Sequence, residues 1–287
     1  MAIRNVMAPD VTMNDPMMAD ATMPDLGRLR GPVIAIAREA AAAILAVYDS
    51  AFTVEHKHDS SPLTAADLAA HHCIVAGLER LTPDIPVLSE ESVAVPVSVR
   101  RAWPRLWLVD PLDGTREFVK RNGEFTANIA LIIDGMPVFG VVQAPVTGKL
   151  WHGGRGLGAF RRDGDLDVPL QTRRPASAPL RVAATRSHRD ERTQALMARM
   201  GEVESIRLGS SLKFCALAEG DMDVYPRFGP TSEWDTAAAQ CVLEGAGGCV
   251  IDPQGRRFHY NQRDTLLNGD FLALGDPGLP WRDWLDR

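Results

Sequence analysis

The stretch Trp107-Leu108-Val109-Asp110-Pro111-Leu112-Asp113-Gly114-Thr115 runs an apolar segment straight into two carboxylates three residues apart. On a turn between a strand and a helix, acids at that spacing can point to the same side. Pro111 removes a backbone donor and fixes one φ angle, and Gly114 permits the close backbone approach that a phosphate at a helix N-terminus requires. Two acids on a turn are common at protein surfaces, but two further pairs accompany these. Glu90-Glu91 follows the apolar run ending at Leu88-Ser89, and Glu233-Trp234-Asp235 opens a late helix. All-oxygen sets of this kind suit hard cations, and magnesium in particular takes a few carboxylates together with substrate phosphate and water.

An α/β framework must position these acids. The alanine-rich run from Pro32 to Tyr48 reads as a largely buried helix with Pro near its first turn. A second helix is expected after Ser61-Pro62-Leu63, with Thr64 as N-cap and Asp67 three residues on, close to a capping box. Strands are expected over Leu106 to Val109, Ala127 to Ile133 and Val138 to Gln143, the last two joined by the hairpin dipeptide Asp134-Gly135. GGRGLG at 153 to 158 has no P-loop lysine and opens no helix, so it reads as a turn. Thr172 to Pro179 reads as a linker, after which a second α/β set runs from Val182 to a helix over Trp234 to Gly245. The expected organisation is an extension over 1–28, an N-terminal half over 29–174 and a C-terminal half over 175–287, layered with a cleft between the halves.

The 287 residues, 45% hydrophobic and 24% charged, have an ordinary soluble composition. A net charge of -6 removes the electrostatic drive toward nucleic-acid polymers or anionic membranes, so a phosphate-bearing partner must be caught by local cations. The apolar stretches fall short of the roughly 20 residues of a membrane span, so no transmembrane segment is expected. Residues 1 to about 28 hold six of the ten methionines and no apolar core of a signal peptide, and are expected to be a disordered, dispensable extension with Met23 as a candidate start. Cys73, Cys215, Cys241 and Cys249 form no C-x-x-C pair and read as reduced core residues. His56, His58, His71 and His72 read as surface or packing residues, and the six tryptophans as core or interface.

The motifs SEES (89–92), DPLDGTREF (110–118), NGEFTANIAL (122–131), GSSLKF (209–214), YPRFGP (225–230) and EWDTAAA (233–239) together resemble the inositol monophosphatase superfamily, and within it the CysQ-type bisphosphate nucleotidases. The resemblance runs from about residue 31 to about residue 274. It implies a layered αβαβα sandwich and a magnesium-dependent, lithium-sensitive phosphatase that removes the 3′-phosphate from adenosine 3′,5′-bisphosphate, recycling a by-product of sulfate assimilation, with 3′-phosphoadenylyl sulfate as a further substrate. Sister enzymes act on inositol or sugar phosphates, and an inactive nucleotide sensor is the reading from another class. By resemblance Glu90, Asp110, the Leu112 carbonyl, Asp113 and Asp235 hold the metal, with Glu91 outside direct contact, and Asp67 and Thr115 form the dyad that deprotonates water. The substrate is expected to meet Glu90, Leu112, Asp113, Gly114, Thr115 and Asp235, with His188, Ser210, Lys213 and Arg227 around the nucleotide. Arg116 stands where the family often has Lys, and Ala239 where the superfamily commonly has glycine. The implied location is the cytoplasm, with peripheral attachment to the inner membrane as an option.

Overall fold

The computed structural model describes residues 24–50, 62–92, 94–184 and 191–285. Residues 1–23 of the expected 1–28 extension, His56, His58 and His188 therefore lie outside the described residues, while residues 24–28 are described and, against the expectation, open the first helix. Two helices, α1 (Leu26–Tyr48) and α2 (Pro62–Leu81), precede strand β1 (Val87–Ser89), a 3-10 turn at Glu90–Ser92 and the short helix α3 (Val97–Arg100). Strand β2 (Arg105–Asp113) leads into α4 (Thr115–Val119), then β3 (Thr126–Ile133), β4 (Met136–Gln143), β5 (Leu150–Gly154), β6 (Gly158–Asp163) and β7 (Leu166–Pro169). The second half contains β8 (Leu180–Ala184), α5 (Glu191–Arg199), β9 (Val203–Arg207), α6 (Leu212–Ala218), β10 (Val224–Arg227), β11 (Thr231–Ser232) and α7 (Glu233–Gly245). It ends with β12 (Cys249–Ile251), β13 (Leu267–Asn268), β14 (Phe271–Leu274) and α8 (Trp281–Trp284).

Strands β1 to β7 form a seven-stranded sheet in sequential order, parallel only between β1 and β2. A five-stranded sheet follows in the order β12-β14-β10-β8-β9. The period of two along the strands assigns each sheet face to a separate core. In β3, Ala127, Ile129, Leu131 and Ile133 pack with α1 and α2, while Ala130 and Ile132 join α6 and α7 on the opposite face. In β14, Phe271 and Ala273 face α6 and α7, while Leu272 and Leu274 join α8 and Leu196 of α5. The result is the expected αβαβα sandwich. Helix α7, C-terminal in sequence, lies in the middle layer and covers the first sheet.

The hairpin at Asp134-Gly135 forms as expected: both residues have positive φ, 49° and 77°, as a type I′ turn requires. Two helix starts differ from the sequence reading. Helix α1 begins at Leu26, because the Asp25 carboxylate accepts the Arg28 N–H at 3.3 Å and caps the turn. Pro32 thus lies inside the helix, on its exposed side, where the carbonyl it leaves unpaired can be hydrated. Helix α2 begins at Pro62, so Thr64 is inside the first turn and is not the N-cap; a proline at the first helical position needs no N–H partner.

Length alone does not dismiss a membrane span, because α1 is long and apolar enough to cross a bilayer, with mean hydropathy 1.5. Its inward stripe, Val33, Ile34, Ala37, Ala40, Ile44 and Tyr48, is buried in the core against α2 and the first sheet. Truncating such a residue, for example Ile44→Ala, costs about 2–5 kcal/mol. All six tryptophans are core or core-packed, and the four cysteines are free thiols, three of them buried.

Candidate metal centre and substrate cleft

Strand β2 carries the first two acids, and a register shift between Asp110 and Asp113 re-aims them. Asp110 pairs with Asn128 and Asp113 with Thr126, so three steps on β2 match two on β3. The Asp110 carboxylate accepts the Leu112 N–H at 3.0 Å, and Pro111 between them has no N–H to satisfy. Gly114 follows at φ 96°, where a Cβ would lie 3.2 Å from the Glu124 carbonyl, and hands the chain to α4. Asp235 enters from α7: it accepts the Ser232 N–H at 2.8 Å and completes a capping box with the Ser232 side chain. One ligand atom from each of Asp110, Asp113 and Asp235 falls within 4.8 Å of the others.

Glu90 and Asp67 border this trio. Burial raises the Glu90 pKa first, and the charges of Glu91 and Asp113 add to it. Asp110, almost wholly buried, is raised well above the usual carboxylate range by burial and by repulsion from Asp113, Asp235, Glu90 and Asp67. Asp235 is pushed to about 7 by burial and then by Asp113. Asp67 is pushed to about 8 by burial, Glu91 and Glu90. The ion pairs of the described residues lie elsewhere, as between Arg173 and Asp223, and none reaches these five acids. Hard oxygen donors converging in a largely buried place, with no ion pair to a protein cation, are the donor set a divalent metal requires, so the residues fit the implied metal.

The dyad expected of Asp67 and Thr115 is not hydrogen-bonded here. Asp67 instead faces Glu91, with which it shares a hydrogen bond, and its Oδ1 is buried without a partner. Burial and the neighbouring charges of Glu91 and Glu90 favour the protonated form of Asp67, and no hydrogen bond joins it to the Thr115 hydroxyl. Thr115 is exposed at the start of α4 and lines the cleft with Asp113 and Gly114.

The cleft, of about 740 Å³, opens beside Asp113 and Asp235 and extends past Lys213, Tyr225, Arg227 and Phe228. Ser210 does not reach into it freely. Its hydroxyl donates to Asp113 Oδ2 at 2.5 Å, and the Ser211 N–H and hydroxyl reach the same oxygen at 2.7 and 2.9 Å. Lys213 is buried, and its Nζ donates to the carbonyls of Leu208 and Ser210 at 3.2 and 2.8 Å above the Tyr225 ring. Burial lowers its pKa to about 8. Arg227 donates to the Pro230 carbonyl at 3.1 Å, while its buried Nε has no partner. Arg116 is exposed on the cleft wall, and Ala239 is buried in the core away from the cleft.

Sequence reasoning missed Ser211, Thr126 and Asn128. Asn128 donates to the Ser211 hydroxyl at 2.9 Å, Thr126 shares a bond with Ser210 at 2.7 Å, and the Ser211 hydroxyl also lies 2.8 Å from the Asp235 carbonyl. The signal was available: Thr126 and Asn128 are polar residues two apart on one face of an otherwise apolar strand.

The model of the inositol monophosphatase family matches residues 26–274. The chain is 50% identical over 241 residues to the 3′(2′),5′-bisphosphate nucleotidase CysQ of Salmonella typhimurium, covering 83% of this chain and 96% of that protein. It is 34% identical over 257 residues to the CysQ of Haemophilus influenzae, covering 88% and 95%. Among solved structures, CysQ from Bacteroides thetaiotaomicron superposes with TM-score 0.79 at 39% identity, covering 86% of this chain and 97% of that one. An inositol monophosphatase from Zymomonas mobilis superposes with TM-score 0.75 at 26% identity, covering 91% and 98%. With the family model matching residues 26–274 and a relative 50% identical over 241 residues, this chain belongs to the inositol monophosphatase family.

Proposed function

We propose that this chain is a magnesium-dependent 3′(2′),5′-bisphosphate nucleotidase that hydrolyses adenosine 3′,5′-bisphosphate to AMP and phosphate in the cytoplasm, recycling the by-product of sulfate assimilation. The observation that carries the reading is the trio Asp110, Asp113 and Asp235, which converges without a protein cation at the mouth of a cleft that also holds Lys213 and Arg227. The name of the 50% identical relative supports the choice of substrate.

Glu90, Asp110, the Leu112 carbonyl, Asp113 and Asp235 would hold the metal. When bound, magnesium neutralises the phosphate dianion, acidifies water and takes up charge on the leaving oxygen. The residues do the rest. Asp113 has Oδ2 fixed by three donors, which orients the carboxylate as a whole. Asp67, whose pKa burial and its acidic neighbours raise, would in the loaded site be ionised and accept from the Thr115 hydroxyl. Thr115 would then pass the proton of the attacking water to the Asp67 carboxylate. Arg227, with an unpartnered Nε, and Arg116 are cations available to a second phosphate, whereas Lys213 spends two of its three donors bracing the turn that holds Asp113. A 740 Å³ cleft is within the usual range of about 300–1,000 Å³ for small-molecule sites.

The test is phosphate release from adenosine 3′,5′-bisphosphate, 3′-phosphoadenylyl sulfate, inositol 1-phosphate and fructose 1,6-bisphosphate, with and without magnesium. The nucleotides should be preferred and chelator should abolish release. Preference for inositol or fructose phosphates would make the chain a sugar phosphatase of the same family, and nucleotide binding without turnover would make it a sensor.

A further inference from the structure

We infer that Glu233 is a positioning residue for Asp235, acting through the hydrogen-bonded chain Arg100–Asn261–Glu233 that ties the start of α7 in the second half to the end of α3 in the first. The inference rests on the reading of Asp235 as a magnesium ligand. Glu233 is the first residue of α7, two before Asp235, and has no exposed surface. Its carboxylate is engaged away from the acidic centre: one oxygen accepts the Asn261 N–H at 2.6 Å and the other accepts from Arg263 at 2.8 Å. Asn261 in turn exchanges two bonds with Arg100. The Arg100 guanidinium donates to the Asn261 side-chain oxygen at 2.9 Å, and the Asn261 amide donates to the Arg100 carbonyl at 2.6 Å. Arg100, 2% exposed, also donates to the carbonyls of Arg263 and Asp264 at 2.8 and 2.7 Å.

Arg100 ends α3, the helix that follows the Glu90–Ser92 turn. The chain of bonds therefore runs from the end of α3, across Asn261, to the first turn of α7. Capping does not account for Glu233, because Ser232 and Asp235 already close the capping box between themselves. Stability accounts for it poorly, since a buried ion pair with Arg263 is offset by the cost of taking both charges out of water. A fixed place for the helix start is what remains. Magnesium demands near-ideal octahedral geometry, so a small drift of Asp235 relative to Glu90 and Asp110 weakens the site.

The experiment is calorimetric titration of magnesium chloride into the metal-stripped full-length protein, alongside turnover as a function of magnesium. Glu233→Gln keeps the volume and one acceptor but loses the charge. It should bind magnesium about tenfold more weakly, the size typical of outer partners of a metal site, and its lost turnover should return as magnesium is raised, with the substrate KM unmoved. Asn261→Gly suits the backbone at φ 57° and cuts only the side-chain link to Arg100. It should shift magnesium affinity in the same direction by less, and it decides the matter if Glu233→Gln does not fold. Folded variants that bind magnesium as the parent does overturn the positioning role. Asp235→Asn is run beside them: if it weakens magnesium binding and the other two do not, the positioning role alone falls. If none of the three changes it, the reading of Asp235 as a ligand falls and takes the inference with it.

Discussion

Asp223 and Asp110 are both aspartates with almost no exposed surface, and their surroundings are opposite. Asp223 is gripped by the Arg173 guanidinium through both oxygens at 2.8 and 2.5 Å, and accepts the Arg181 N–H at 2.7 Å. Asp110 has its pKa driven up by burial and then by the surrounding Asp113, Asp235, Glu90 and Asp67. The protein solves the burial of charge internally in the first case and leaves it unsolved in the second. That difference marks a place whose missing charge comes from outside, whereas a list of buried acids alone would rank the two residues together.

The sharpest way to break the comparison is to neutralise one member of each set. Asp113→Asn removes a charge from the uncompensated cluster without changing volume. It should cut turnover about a thousandfold or more, since a lost metal ligand forfeits several kcal/mol of transition-state stabilisation, while leaving the metal-free fold at least as stable. It should also abolish the rise in melting temperature with magnesium, which for the parent corresponds to about 2.7 kcal/mol at a hundred times the dissociation constant. Phosphate release and thermal unfolding with and without chelator check both, and near-normal turnover at saturating magnesium would defeat the metal assignment. Asp223→Asn should do the reverse. It leaves Arg173 and Arg181 short of their counter-charge, costs about 3 kcal/mol of stability in denaturant unfolding, and leaves magnesium affinity as it was.

A smaller effect sharpens the second part of the site. Arg227→Ala removes a cation from the cleft wall, and losing one charge-assisted contact of about 1.5–3 kcal/mol should raise the KM for adenosine 3′,5′-bisphosphate roughly tenfold to a hundredfold. Weak activity on inositol 1-phosphate should stay level, because a small substrate does not reach that wall. Equal losses on both substrates would move Arg227 from recognition to support of the fold.

Much of this was legible in the sequence where signals are local. The Asp134-Gly135 hairpin, the apolar run into Asp110 and Asp113, and the acid at Asp235 each declare themselves within a few residues. The helix starts were misread because a cap is a contest between neighbouring candidates: Asp25 took the role at α1, and Pro62 opened α2 ahead of Thr64. Ser210 and Lys213 both line the cleft, but the Ser210 hydroxyl donates to Asp113 and two of the three Lys213 donors go to backbone carbonyls. Those bonds span up to 97 residues of sequence, and no local pattern reports them. The closeness of Asp67 to Glu91 and Glu90 was hidden for another reason: it joins residues on α2 and the turn after β1, more than twenty positions apart.

The place of α7 has a consequence for the making of the protein. The first sheet is complete once β7 has been synthesised, and α1 and α2 can cover one of its faces at once. The other face, with Leu106, Leu108, Ala130 and Ile132, waits for a helix that begins at Glu233. At roughly 5–20 residues per second, the intervening sixty or so residues keep an apolar sheet face bare at the ribosome for several seconds. The segment that ends this exposure also delivers Asp235, so cover for the sheet and the last acid of the candidate metal centre arrive together.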